Sequence, residues 1–195
     1  MDIPLYDRTP NGNCGFLGFR MCQNRIAVAV LSYIIETGGF AQIIELGTQL
    51  GGLTVLLGLQ CRMLDIRLDS FDLEAISPYA NLLEEFGVHY RICDIFSEAG
   101  VSAIRELIQV PGRVLLLCDN GDKVREFHTF ARYLKPGNVI GAHDYHPDGE
   151  YDVRRWAWQE IGDAVVQETC VQYNLEPFLP EACLEAAWLM KMRAR

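Results

Sequence analysis

The chain has 195 residues, half of them hydrophobic, and a formal net charge of −9. That length and apolar share fit one globular domain with a full core. The negative charge argues against nonspecific attraction to phosphate backbones, and no apolar run reaches the roughly 18 residues that a membrane span needs. The opening stretch MDIPLYDRTPNGNCGF lacks the basic start and apolar run of a signal peptide. Seven cysteines, at 14, 22, 61, 93, 118, 170 and 183, are odd in number and form no Cys-x-x-Cys pair. This argues against a disulfide framework or a structural zinc site. The expectation is a cytoplasmic protein with reduced thiols and no nucleic-acid or membrane partner. The basic pair Arg154-Arg155 and the tail Lys191 to Arg195 read as solvated surface.

Residues 1–20, with prolines, glycines and the Asn11-Gly12-Asn13 turn, are expected to be a loop-rich lead-in, and 21–195 a single domain. From Asn24 to Glu36, Ile26, Val30 and Ile34 recur at helical spacing, and Thr37-Gly38-Gly39 stops that helix. An alternation follows. Phe40–Leu46 reads as a strand, Leu53–Leu59 as a helix and Arg62–Phe71 as extended. Ser77–Phe86 reads as a helix, Val88–Ile92 as a strand and Ser97–Gln109 as a helix. After the Pro111-Gly112 break come the strand Val114–Cys118, the helix Asp122–Leu134 and the strand Val139–Ala142. Such alternation implies an α/β fold with a mostly parallel sheet covered on both faces. Ala164–Tyr173 and Ala186–Met192 read as two strands joined by a proline-containing loop, an antiparallel pair at a sheet edge.

In open α/β sheets ligands bind beyond the carboxyl ends of the strands. Five such ends are Glu45–Gly52, Asp69–Asp72, Asp94–Phe96, Asp119–Lys123 and His143–His146, and each contains an acid. The first is the most telling: a buried strand ends on Glu45, a turn follows at Gly47, and a helix starts at Gly51-Gly52. Against the dinucleotide pattern G-x-G-x-x-G, the positions are Gly47, Gln49 and Gly52. A long amide replaces the glycine that admits a pyrophosphate. S-adenosylmethionine has no pyrophosphate. Glu45 suits its ammonium group, and backbone N–H groups around Gly47 and Thr48 suit its carboxylate. The segment Met21–Asn24 is a candidate to close over the cofactor.

The run E-x-G-x-x-x-G-G resembles the first motif of class I S-adenosylmethionine-dependent methyltransferases, in the form found in the cephalosporin hydroxylase-like and macrocin O-methyltransferase-like groups. The resemblance covers about residues 24–192. It implies a Rossmann-like three-layer sandwich with a seven-stranded, mostly parallel sheet, order 3-2-1-4-5-7-6, and a C-terminal antiparallel strand pair. It also implies cofactor contacts at Glu45, Gly47, Thr48, Gln49 and Gly51. The acid ending the second strand would hold the ribose. The family pattern favours Asp72 for this, with Asp69 the alternative. Asp94, Ile95 and Phe96 match the segment that meets adenine, and Asp119 borders the cofactor from the central strand. The plainer reading of Asp94 is a helix N-cap.

Adjacent parallel strands lie about 4.8 Å apart, so Asp119 and Asp144 can converge. Two carboxylates brought together call for a proton or a cation, and their oxygens suit magnesium or another divalent metal. Metal-dependent relatives place acids after the fourth and fifth strands. Asp119 and Asp144 match, whereas His143 stands where an acid is common. A His ligand tolerates manganese, iron or zinc better than an all-oxygen set does. The plainer alternative makes Asp119 a helix cap and His143 a packing residue. The family's general base often sits three residues after the first metal acid, here Asp122, with Lys123 next to it. His143 and His146 are further candidates. The loop Tyr145–Trp158 offers His146, Tyr151, Trp156 and Trp158 as an acceptor pocket. The leading expectation is an enzyme that methylates an oxygen of a small-molecule acceptor, with a divalent metal assisting. The rivals are a nicotinamide-dependent oxidoreductase and a non-catalytic cofactor-binding protein. The oligomeric state, a homo-oligomer included, stays open.

Overall fold

Residues 14–75, 80–147 and 161–195 are described by the computed structural model. A hairpin of β1 (Cys14–Phe16) and β2 (Phe19–Met21) comes first. It occupies the end of the stretch expected to be a loop-rich lead-in. Asn24 then caps α1 (Arg25–Gly38), its side-chain oxygen accepting from the Ala27 N–H at 2.7 Å. Gly39, in the left-handed region, ends that helix. The alternation continues as β3 (Phe40–Leu46), α2 (Gly52–Leu64), β4 (Arg67–Asp72), α3 (Ala80–Glu85), β5 (Val88–Ile92) and α4 (Glu98–Ile108). Then follow β6 (Arg113–Cys118), α5 (Lys123–Ala131), β7 (Val139–His143), α6 (Asp163–Gln172), β8 (Leu175–Pro177), α7 (Pro180–Glu185) and β9 (Trp188–Arg193).

The seven-stranded sheet runs β5-β4-β3-β6-β7-β9-β8. Counted from β3, this is the expected order 3-2-1-4-5-7-6. β9 is antiparallel to both of its neighbours, while β5, β4, β3, β6 and β7 pair in parallel. Alternate side chains feed two cores. Ile43, Leu115, Leu117 and Val139 pack under α1, α2, α3 and α7, while Ile44, Leu46, Leu116, Cys118 and Ile140 pack under α4, α5 and α6. No helix among the described residues is long and apolar enough to cross a membrane.

One expected strand is a helix. Ala164–Tyr173 lies in α6, and the short β8 supplies the edge strand instead. The β-branched valines gave the segment its strand-like look, but burial follows a helical spacing: Val166 and Thr169 face inward, whereas Val165 and Val171 are 51% and 78% exposed. Asp163 in the first turn complements the helix dipole. Likewise, residues 62–64 of the segment expected to be extended continue α2. That helix ends at Asp65, in the left-handed region, before β4 begins.

Candidate active site

The turn after β3 is built by short-range commitments. Gly47 sits at φ +99, and a Cβ there would lie 2.3 Å from the backbone carbonyl oxygen of Asp119, so only glycine fits. Its N–H donates to the Phe71 carbonyl at 2.8 Å. That donor is therefore committed to β4, against the expectation that it meets a ligand carboxylate. Gln49, at φ +46, donates its backbone N–H to Asp72 Oδ2 at 2.7 Å. Gly51 caps α2 in the left-handed region. Gly52 serves the hairpin rather than a ligand: a Cβ there would lie 2.4 Å from the Arg20 carbonyl oxygen.

Glu45 is fully buried below this turn. Ser70 Oγ donates to its Oε2 at 2.6 Å, and Ser70 in turn meets Thr48 Oγ1 at 2.7 Å. Its Oε1 is buried without a hydrogen-bond partner among the described residues. Burial pushes the Glu45 carboxyl up to about 8, and the Ser70 hydroxyl opposes that only in part.

The two acids of β4 separate cleanly. Asp69 is buried and engaged by Arg67 at 2.7 Å, Arg91 at 2.8 Å and the Gln42 amide at 2.7 Å. Burial alone would raise its pKa, but these partners together hold it below the ordinary value. Asp72 sits at the strand tip, half-buried, on the Gln49 and Glu74 N–H groups. Farther along the rim, Asp94 Oδ1 accepts from the Phe96 N–H at 2.9 Å. The cap of α4 is Ser97 rather than Asp94, its Oγ accepting from the Gly100 N–H. Ile95 is buried, while Phe96 is half-buried with the Arg125 guanidinium 3.8 Å from its ring centroid.

β6 and β7 end on a convergent cluster. His143 Nδ1 lies 3.2 Å from Asp119 Oδ1 and 3.4 Å from Asp144 Oδ1. Lys123 Nζ lies 3.0 Å from Asp144 Oδ2 and 3.7 Å from Asp119 Oδ1. One donor atom each from Asp119, His143 and Asp144 falls within 4.8 Å of the others. Asp144 takes the left-handed conformation, φ +57, which Asp tolerates better than most residues. Burial disfavours the imidazolium of His143, but Asp119 and Asp144 outweigh it and raise its pKa. The helix cap here is Asp122, whose Oδ1 accepts from the Arg125 N–H at 3.0 Å, and not Asp119. Lys123, at the first position of α5, is buried.

Three further residues belong to this site. Gln23 Nε2 donates to Asp119 Oδ2 at 2.9 Å, and Gln23 Oε1 accepts from the Trp188 indole N–H at 3.0 Å. The indole can only donate, so it fixes which end of the amide faces Asp119. The Trp188 ring also packs 5.1 Å from that of His143. The third is Glu126, fully buried, whose carboxylate accepts from the Asn120 N–H at 3.2 Å. Burial pushes it up to about 8. Gln23 lies in the segment expected to close over the cofactor, but 96 residues separate it from Asp119. No spacing could have paired them. His146 lies in the loop after β7, its backbone N–H donating to the Ile161 carbonyl at 3.1 Å. Tyr151, Trp156 and Trp158 lie outside the described residues.

The strand order, the single antiparallel strand and the acids at the strand tips define the fold of class I S-adenosylmethionine-dependent methyltransferases. Among solved structures, the chain is similar to the apo structure of CmcI, with TM-score 0.69 and 14% identity over 93% of this chain and 76% of that one. It is also similar to the Mg-SAM structure of CmcI, with TM-score 0.63 and 16% identity over 91% and 76%. The citrinin polyketide synthase CMeT domain follows, with TM-score 0.56 and 17% identity over 88% and 53%. No protein-family model and no curated protein sequence matches the chain.

Proposed function

We propose that this protein is an S-adenosylmethionine-dependent methyltransferase that acts on an oxygen of a small-molecule acceptor, assisted by a divalent metal at Asp119, His143 and Asp144. One observation carries the reading: Gly47 touches the backbone of Asp119, and the Asp119 N–H donates to the Leu46 carbonyl at 2.8 Å. The turn read as the cofactor loop and the polar cluster therefore share one rim of the sheet. The CmcI structures supply a fold precedent, one of them with Mg and SAM. The residues present fit both groups. The glycine turn offers a close backbone approach, with Asp72 at the next strand tip as the ribose partner. Two carboxylates and an imidazole form a donor set for magnesium or manganese.

When bound, the metal would hold the acceptor oxygen and lower the pKa of its hydroxyl, and the cofactor would supply the methyl group. Overall an acceptor O–CH3 bond forms, the sulfonium S–CH3 bond breaks, and the hydroxyl proton leaves. Alignment of three atoms in line matters most in such a displacement, and the chain supplies it by fixing the cluster. Gln23 and Trp188 hold Asp119 and His143 in place from behind. Asp122 is committed to its helix cap, so the proton would pass to Lys123 once its ammonium had been deprotonated, or to His143 where it is not engaged as a metal ligand. Asp94, Ile95 and Phe96 are assigned to the adenine side. The net charge of −9 favours a neutral or cationic small acceptor over a nucleic acid. The six cysteines whose side chains are described are free thiols, which suits a cytoplasmic setting. The test is methyl transfer from labelled cofactor to a panel of sugars and phenols, with and without chelator. Loss of all transfer in Asp119→Ala and Asp144→Ala is expected. A fully active variant would sink the metal role, and failure to bind S-adenosylmethionine would sink the whole reading.

A further inference from the structure

Lys123 is the unexpected member of the cluster. A lysine at the start of a helix normally extends into water, yet this one is buried with its ammonium against both Asp144, at 3.0 Å, and Asp119, at 3.7 Å. These are the two carboxylates assigned above to a divalent cation. We propose that Lys123 is a built-in competitor for that cation: its ammonium balances the two carboxylates in the metal-free protein and must withdraw before a metal is held. The inference rests on the metal part of the proposed function.

Charge and distance carry it. Two carboxylates and one ammonium, with His143 in the neutral form that a metal ligand must take, leave one net negative charge in the cluster. A divalent ion added to that set, with the ammonium in place, would leave a net positive charge in a largely buried site, where water screens weakly. Metal–oxygen bonds of about 2.1 Å to magnesium would put an ion on Asp144 Oδ2 within about 5 Å of Lys123 Nζ, if no side chain moved. Two cations that close repel strongly unless the lysine swings away. The lysine stem is flexible and its head is a compact point charge, so it can do so. Metal binding is therefore predicted to be weak for a site with this donor set, and to be limited by Lys123.

The test is calorimetric titration of manganese into the full chain, with no acceptor or cofactor present, for the wild type and three variants. Lys123→Met removes the charge and keeps the stem, and Lys123→Arg keeps the charge. Lys123→Gln repeats the charge removal if the Met variant fails to fold. The expected result is at least tenfold tighter manganese binding for the Met or Gln variant than for the wild type, and no gain for Arg. Equal or weaker binding on charge removal overturns the inference while leaving the metal site standing. Absence of manganese binding in the wild type and in both neutral variants overturns the inference and the metal assignment together. Binding of S-adenosylmethionine, measured in parallel, reports on the cofactor reading independently.

Discussion

Replacing Glu45 with glutamine should stabilise the protein at alkaline pH while weakening its hold on S-adenosylmethionine. Burial raises the Glu45 carboxyl from its ordinary 4.5 to about 8. That corresponds to about 5 kcal/mol of preference for the protonated form, at about 1.4 kcal/mol per tenfold change in the proton equilibrium. The folded protein keeps this proton, and the unfolded chain releases it, between pH 4.5 and about 8. Stability therefore falls as pH rises through that window and levels off above it. Glutamine has no proton to lose and can still accept from Ser70. Its advantage over glutamate should be near zero at pH 4.5 and grow to about 3 kcal/mol by pH 7, before any lost hydrogen bond is deducted. Urea unfolding of both proteins from pH 5 to pH 9 measures this difference directly. The buried Glu126 titrates in the same window but is common to both proteins and cancels. If Glu45 serves the cofactor ammonium, it must ionise on binding. Calorimetry in buffers of different ionisation enthalpy should then show proton release at pH 7 in the wild type and none in Glu45→Gln, with at least tenfold weaker binding in the variant. An advantage for glutamine that stays the same at pH 5 and pH 8 would refute the burial account. Unchanged affinity would refute the ammonium role.

Gly47→Ala forces a Cβ to within 2.3 Å of the Asp119 carbonyl oxygen at a positive φ. It should cost about 3 kcal/mol and abolish cofactor binding in a thermal-shift assay; near-normal binding would contradict the close approach. Gln23→Leu strips a donor from Asp119 and leaves the buried Trp188 N–H without its acceptor. A loss of about 2 kcal/mol in urea unfolding is expected, with weaker manganese binding as well. Asp69→Asn should lower stability by about 2 kcal/mol, because Asp69 anchors Arg67 and Arg91, yet leave cofactor affinity close to wild type. Asp72→Asn should do the reverse, lowering affinity about tenfold at nearly unchanged stability. The opposite pattern would return the ribose role to Asp69.

The parallel half of the sheet was readable because its strands are short apolar runs that end on acids and are separated by helical periodicity. Phe40–Leu46, Val88–Ile92 and Val114–Cys118 recur in the structure within a residue or so. The edge was harder. Periodicity does not separate a valine-rich helix that buries little from an edge strand, which is why the α6 segment looks like β in the sequence. Site residues close to a strand end were also legible, because the fold's geometry brings strand ends together. The burial of Lys123 was not, since it depends on Asp144, 21 positions later and just past the end of β7. Gln23 and Trp188 are likewise joined to the site by hydrogen bonds between residues far apart in the chain. Asp69 and Asp72 could be told apart only when Arg67, Arg91 and Gln42 were seen around the first.

Calorimetric titration of the purified chain with S-adenosylmethionine, and separately with NAD, decides which of the two the Gly47 turn serves. Saturable one-to-one binding of S-adenosylmethionine is expected, lost in Gly47→Ala, with no heat from NAD. Binding of NAD with none of S-adenosylmethionine would contradict it.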